Sequence, residues 1–231
     1  MPGLHEEMIE RFALYLPENP RFEIWQPVST MFMHSGFFHL LMNMYALWAF
    51  GTPLEQLWGI KRFILFYFAS GIGASMVYTG VNLYRFKQYA AEFLAAGISG
   101  EQMDQVLQTE WRDLRAIGSV SVDQVREFWL LFHIPAVGAS GAVYGILVAF
   151  AMLFPNAKLA LIFFPVPIAA KYFIPVLIAL DLFSGVTGVS IFGGGIAHFA
   201  HVGGALIGFL LMLLFGGRRR RSNTIEDARE F

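Results

Sequence analysis

Four stretches of this chain, residues 62–81, 135–154, 172–217 and most of 31–51, are almost without Asp, Glu, Lys or Arg. A helix needs about 20 such residues to cross roughly 30 Å of hydrocarbon, and in lipid the backbone must satisfy its own polar groups. Segments this long and this apolar favour a bundle of transmembrane helices over other folds. The whole-chain figures agree: 56% of residues are hydrophobic and only 14% charged, against about 25% charged in an ordinary soluble domain.

Five spans are expected, at about 31–51, 62–82, 138–154, 172–190 and 197–215. The turn signal Pro155-Asn156 stops the third, Lys171 precedes the fourth, and Gly216-Gly217 ends the fifth. Orientation follows from the basic residues of the short loops. If 31–51 runs from outside to inside, the inner side receives Lys61, Arg62, Lys158, Lys171 and the run Arg218 to Arg221, which reads as an anchor opening a cytoplasmic tail, 218–231. The long segment 83–130 then lies outside, where its five basic residues are outnumbered by seven acidic ones. Within it, Met103, Val106, Leu107, Trp111 and Leu114 recur at helical spacing, so an amphipathic helix over about 100–116 is expected to lie on the membrane surface or the bundle. The start, MPGLHEEMIERF, is acidic and lacks a continuous apolar run, so no cleavable signal peptide is expected.

Composition also narrows the chemistry. With no cysteine, disulfides, thiolate metal sites and a cysteine nucleophile are excluded, which leaves Ser or Thr for covalent work. A formal net charge of −1 gives no reason to expect nucleic acid binding.

Polar side chains inside apolar spans are costly, and here they gather in three places. His34, His39 and Asn43 form the first; on a helix His39 and Asn43 are i and i+4, so two donors converge on one face. The second is GASGAVYG, residues 138–145, with Ser140 between small residues at a helix start, where its amide is left unpaired. Gly138 and Gly141 allow close approach there, and Gly141 with Gly145 makes a face for tight helix contact. The third is AHFAHVGGALIG, where His198 and His201 precede Gly203, Gly204 and Gly208. Singly, each has a plainer reading as a packing serine or an interhelical hydrogen bond. Together they supply the nucleophile, base and oxyanion donors that acyl transfer needs.

These residues resemble the motifs of the rhomboid intramembrane proteases. The likeness rests on His34, His39 and Asn43 in H-x4-H-x3-N-M, on Gly138-Ala139-Ser140-Gly141 with Tyr144, and on Ala200-His201-Val202-Gly203-Gly204 with Gly208, over about residues 25–217. It implies an all-α membrane protein with a six-helix core. Its first helix would precede residue 25, so the chain is expected to lack it, leaving 1–30 as an N-terminal segment and partial first loop, 31–217 as membrane domain and 83–130 as an outer insertion. It further implies Ser140 as nucleophile and His201 as base, in a water-filled cavity below the membrane surface. His39, Asn43 and the Ser140 amide would form the oxyanion hole, with Tyr144 stacked on His201 and Gly138, Gly141 and Gly204 in support. His34 would be structural, and His198→Ala would retain much of the cleavage. The loop pair Trp-Arg common in the family stands here as Trp25-Gln26, so an anchoring cation is missing.

The activity implied is endoproteolysis of transmembrane protein substrates within the lipid bilayer, with no metal and no cofactor. The expected location is a multi-pass cell membrane, of the bacterial inner-membrane kind. No carboxylate partner for His201 is evident, so a Ser-His dyad is expected. Two other readings remain. One is a non-catalytic rhomboid-like protein that binds transmembrane clients. The other is a metal or proton site built from His34, His39, His198, His201 and Asp181, which leaves the glycines around Ser140 unexplained.

Overall fold

The computed structural model describes residues 3–161, 164–189 and 197–216. The expected basic anchor at Arg218 to Arg221 lies outside the described residues. The chain opens with an exposed helix α1 (Leu4–Phe12) and a short α2 (Gln26–Ser29), which runs into a 3-10 turn at Thr30–Phe32. Two long helices follow, α3 (Phe37–Trp58) and α4 (Ile60–Ala95), then α5 (Gly100–Gln108) and α6 (Val122–His133). Next come α7 (Ser140–Leu153), an antiparallel hairpin of β1 (Lys158–Leu161) and β2 (Phe164–Ala169), α8 (Ala170–Thr187) and α9 (His198–Gly216).

Two boundaries differ from the sequence expectation. The helix expected over 31–51 runs from Phe37 to Trp58, because residues 30–36 wind through the 3-10 turn and a bend before α3 begins. The helix expected over 62–82 continues to Ala95. At 36 residues it is about 54 Å long, well beyond the roughly 30 Å of a hydrocarbon core. Its outer turns carry Phe86 and Phe93 into a small second core with Leu16, Val106, Leu114, Val125 and Phe128. The rings of Phe86 and Phe128 stack there at 4.5 Å. The amphipathic stretch near 100–116 therefore packs into a cap built on α4. It is broken after Gln108 into α5 and a 3-10 turn at Trp111–Asp113.

The membrane bundle centres on α4, α7 and α9, with α3 and α8 flanking. Glycine sets how closely the centre packs. A side-chain carbon added to Gly204 would fall on the carbonyl of Gly141, and one added to Gly208 would lie 2.5 Å from the Gly145 Cα, so α7 and α9 touch backbone to backbone. From α4, Ala74 faces Gly141 and Val77 faces Gly203. The outer surface is apolar to a degree that water would not tolerate: Phe37 is 79% exposed, Val186 70% and Leu214 76%. Two of the helices, Ile60–Ala95 and Ala170–Thr187, are long and apolar enough by themselves to cross a membrane. The molecule is a helical membrane bundle.

A tight turn at Gly59, with φ +75°, reverses α3 into α4 and puts Lys61 and Arg62 at the same end as Lys158 and Lys171. The start of α7, the end of α8 and the start of α9 meet at the other end. That end carries the polar residues.

Candidate active site

Ser140 is the first residue of α7, and His201 lies one turn into α9. The glycine contact between these helices brings His201 Nε2 within 2.8 Å of Ser140 Oγ. Tyr144, one turn below the serine, stacks on the imidazole with ring centroids 4.2 Å apart and planes 12° apart. The Ser140 amide makes no backbone hydrogen bond among the described residues, as a first-turn amide should not.

The other ring nitrogen of His201 has a partner that the sequence reading did not assign. Asp181 on α8 is 1% exposed, and its Oδ1 lies 3.1 Å from His201 Nδ1. The same oxygen lies 2.6 Å from His198 Nδ1, while the Tyr144 hydroxyl donates to Oδ2. An ionised carboxylate only accepts, so both imidazoles carry their protons on Nδ1. His201 Nε2 is thereby left as an acceptor facing the serine hydroxyl. A carboxylate therefore stands behind the histidine, where the sequence reading saw no partner for it. It went unassigned because Asp181 is 20 residues from His201 on another helix; the available signal was an isolated acid in an apolar span.

This geometry also bears on the metal reading. His198 and His201 do converge with Asp181, but each turns a protonated nitrogen, which has no lone pair for a metal, toward the carboxylate. His34 packs edge-on against His39, ring centroids 5.1 Å apart, and its Nε2 is buried without a partner among the described residues.

His39 and Asn43 arrive from α3. The backbone amide of Ser35 donates to His39 Nδ1 at 3.3 Å, and the Ser35 hydroxyl lies 3.1 Å from the same atom. A backbone amide has only a proton to offer, so Nδ1 accepts and Nε2 keeps the hydrogen. That Nε2 faces the serine across Gly138. A carbon added to Gly138 would lie 2.9 Å from His39 Nε2 and 3.7 Å from Ser140 Oγ, and its φ of +122° also calls for glycine. Asn43 is buried and donates one amide proton to the His39 carbonyl at 2.9 Å, which leaves its second proton free for another acceptor.

The loop before Ser140 is held from the N-terminal side. Leu14 and Ala136 exchange two backbone hydrogen bonds of 2.9 Å, the Thr30 hydroxyl donates to the Ala136 carbonyl at 2.6 Å, and the Gly138 amide donates to the Thr30 carbonyl at 3.0 Å. Gln26, 0% exposed, stands where the sequence reading missed a cation. Its Nε2 donates to the Arg21 carbonyl at 2.7 Å, and its Oε1 accepts from the Tyr15 amide at 3.2 Å. A neutral amide thus does the anchoring. Beside Ser140 opens a narrow cleft bordered by Thr30, Gly71, Ala74, Ser75 and Gly138.

Comparison with known proteins agrees with this picture. The Rhomboid domain family matches residues 21–218, and the chain belongs to that family. It is 29% identical over 183 residues to "Rhomboid protein 1, mitochondrial" of Saccharomyces cerevisiae, covering 79% of this chain and 39% of the yeast protein. It is 27% identical over 211 residues to "Presenilin-associated rhomboid-like protein, mitochondrial" of Rattus norvegicus, covering 90% of this chain and 42% of the rat protein. A shorter match, 34% over 89 residues, is to "RHOMBOID-like protein 6, mitochondrial" of Arabidopsis thaliana, covering 38% of this chain and 28% of that protein. The chain therefore spans about two fifths of the yeast and rat relatives. No solved structure matches it.

Proposed function

We propose that this chain is an intramembrane serine endopeptidase that cleaves transmembrane segments of other membrane proteins. The observation that carries the reading is the 2.8 Å contact between Ser140 Oγ and His201 Nε2. A serine hydroxyl is a poor nucleophile until a base is within reach of its proton. Ser140 Oγ attacks the scissile carbonyl carbon while its proton passes to His201 Nε2. The tetrahedral oxyanion accepts hydrogen bonds from His39 Nε2, Asn43 Nδ2 and the Ser140 amide. His201 then delivers the proton to the leaving amine, the C–N bond breaks, and a water activated by the same nitrogen releases the acyl group. Asp181 accepts from Nδ1 throughout, holding the ring and stabilising the imidazolium that forms.

Helix length supports a site set below the surface. With 14 residues, α7 is about 21 Å long, roughly 9 Å short of the hydrocarbon thickness. Ser140, at its outer end, is therefore recessed, where a transmembrane segment can reach it from the side.

The test is labelling with a fluorophosphonate probe in detergent, with and without Ser140→Ala. Labelling of the wild type that disappears in the variant is expected, and it should survive strong chelators. Labelling that persists in Ser140→Ala overturns the reading by placing the nucleophile elsewhere, and none in the wild type overturns it in favour of a non-catalytic binder of transmembrane clients. The proposed location is a multi-pass membrane of the bacterial inner-membrane kind. The relatives' names are mitochondrial, so fractionation of the native host's membranes decides between the two.

A further inference from the structure

Three side chains from two helices meet at Asp181 of α8, and their distances are unequal. Oδ1 is 2.6 Å from His198 Nδ1 and 3.1 Å from His201 Nδ1, while Oδ2 takes the Tyr144 hydroxyl. A charge-assisted N–H to carboxylate bond runs to about 2.7–2.9 Å, so the bond that fixes this carboxylate is the one to His198. His201, the proposed base, holds it more loosely. Resting on the proteolytic reading above, the geometry points to His198 as a positioning residue, which with Tyr144 locks the Asp181 carboxylate so that Oδ1 presents a fixed acceptor to His201. The sequence reading expects His198→Ala to retain much of the cleavage, so the two expectations differ at a measurable rate.

The physical reason lies in the freedom of a carboxylate. An aspartate held at one oxygen only turns about its terminal torsion, which is broad and two-fold. Held at Oδ2 by Tyr144 and at Oδ1 by His198, it does not turn, and the second lone pair of Oδ1 stays aimed at His201. The base then reaches its imidazolium state without waiting for the counter-ion to reorient, the condition under which electrostatic stabilisation is most effective. Position in the fold reinforces this. His198 is 11% exposed in its side chain, and it begins the helix on which His201 sits one turn later. Both rings therefore reach the same oxygen of α8 from one face of α9. The neighbouring titratable groups are Tyr144 on α7 and His39 on α3, and Tyr78 on α4 lines the cleft beside Ala200.

The test is the kinetics of fluorophosphonate labelling in detergent, separated into the maximal inactivation rate and the probe concentration at half-maximum. His198→Ala is expected to lower the maximal rate roughly tenfold or more, the scale of losing a residue that orients a reacting group through a neighbour. The half-maximal concentration and the thermal unfolding midpoint should stay near wild type. His198→Asn, whose Nδ2–H takes the place of Nδ1–H, should recover most of the rate. In an Asp181→Asn background, His198→Ala should cost nothing further, because its partner is already gone. Equal rates in wild type and His198→Ala overturn the proposal. So does a loss that Asn does not recover, or one that simply adds to the Asp181→Asn loss, because both mark a packing role. Failure of the proteolytic reading looks different: labelling would not depend on Ser140 at all.

Discussion

At the scale of single residues, the groups of the candidate site divide by how the sequence betrays them. Ser140, His201, His39 and Asn43 were legible because each sits in a local pattern: glycines one or two positions away, or i, i+4 spacing on one helix. Asp181, Ser35 and Gln26 were not. Their importance arises from contacts made across helices or through a bend, as when Asp181 meets His201 from 20 residues away. Two predictions belong here. Asp181→Asn should reduce the labelling rate by about 10²–10⁴-fold, since an amide at that place disfavours the Nδ1–H tautomer. A dyad that ignores its carboxylate would leave the rate within a factor of a few. Asn43→Ala should lower cleavage of a transmembrane substrate by about 10²–10³-fold, with His39→Ala added making it worse. Wild-type rates in the double variant would remove both side chains from the oxyanion hole.

At the scale of elements, apolar length revealed the long helices, but their ends were set by features that hydropathy does not register. Helix α4 outruns its span because Phe86 and Phe93 enter the core of the cap. Helices α5 and α6 each begin with a reciprocal Ser-x-x-Gln cap, Ser99 with Gln102 and Ser121 with Gln124, a pattern readable from sequence that the reading passed over. Packing supplies a paired prediction. Gly204→Ala drives a methyl into the Gly141 carbonyl and should cost about 1–3 kcal/mol or more. Gly80→Ala on the central helix α4, where an added carbon meets nothing within 4 Å, should be neutral or slightly stabilising. Thermal unfolding in detergent compares them, and equal melting would contradict the close α7–α9 contact. The cap should also respond to acid. Burial pushes the His133 imidazole below its ordinary value, opposed in part by its hydrogen bond to the Trp129 carbonyl, and the ring stacks on Trp129 at 4.0 Å. A lowered folded-state value means the unfolded chain takes up the proton first, so this contribution is whole above about pH 6.5 and drains away as pH falls through the folded value. Protection against hydrogen exchange over 83–133, taken relative to the intrinsic rate at each pH, should therefore fall between pH 7 and pH 5, and His133→Gln should flatten that change. An unchanged slope in His133→Gln would assign the acid response elsewhere.

At the scale of the whole molecule, a bundle of apolar helices was foreseeable, whereas the way the N-terminal loop grips the nucleophile was not. That grip passes through Gln26, whose removal would strand the buried Tyr15 amide at about 1–3 kcal/mol and free the Arg21 carbonyl from the loop. Gln26→Ala should thus lower the melting temperature and slow labelling together, because Leu14 and Thr30 hold the Ala136 strand that leads to Ser140. A variant that melts early but labels at the wild-type rate would separate the loop from the site.

The proposed catalytic centre is drawn from segments made at well-separated times. The loop that steadies Ser140 is made before the serine, which follows more than a hundred residues later, and Asp181 and the helix bearing His201 come later still. A nascent chain that has emerged only through α7 holds a serine with neither base nor counter-ion, and is harmless to the membrane proteins around it. In the proposed mechanism, competence to cut waits until α9 slides its glycines against α7, so a copy without that contact is silent by construction.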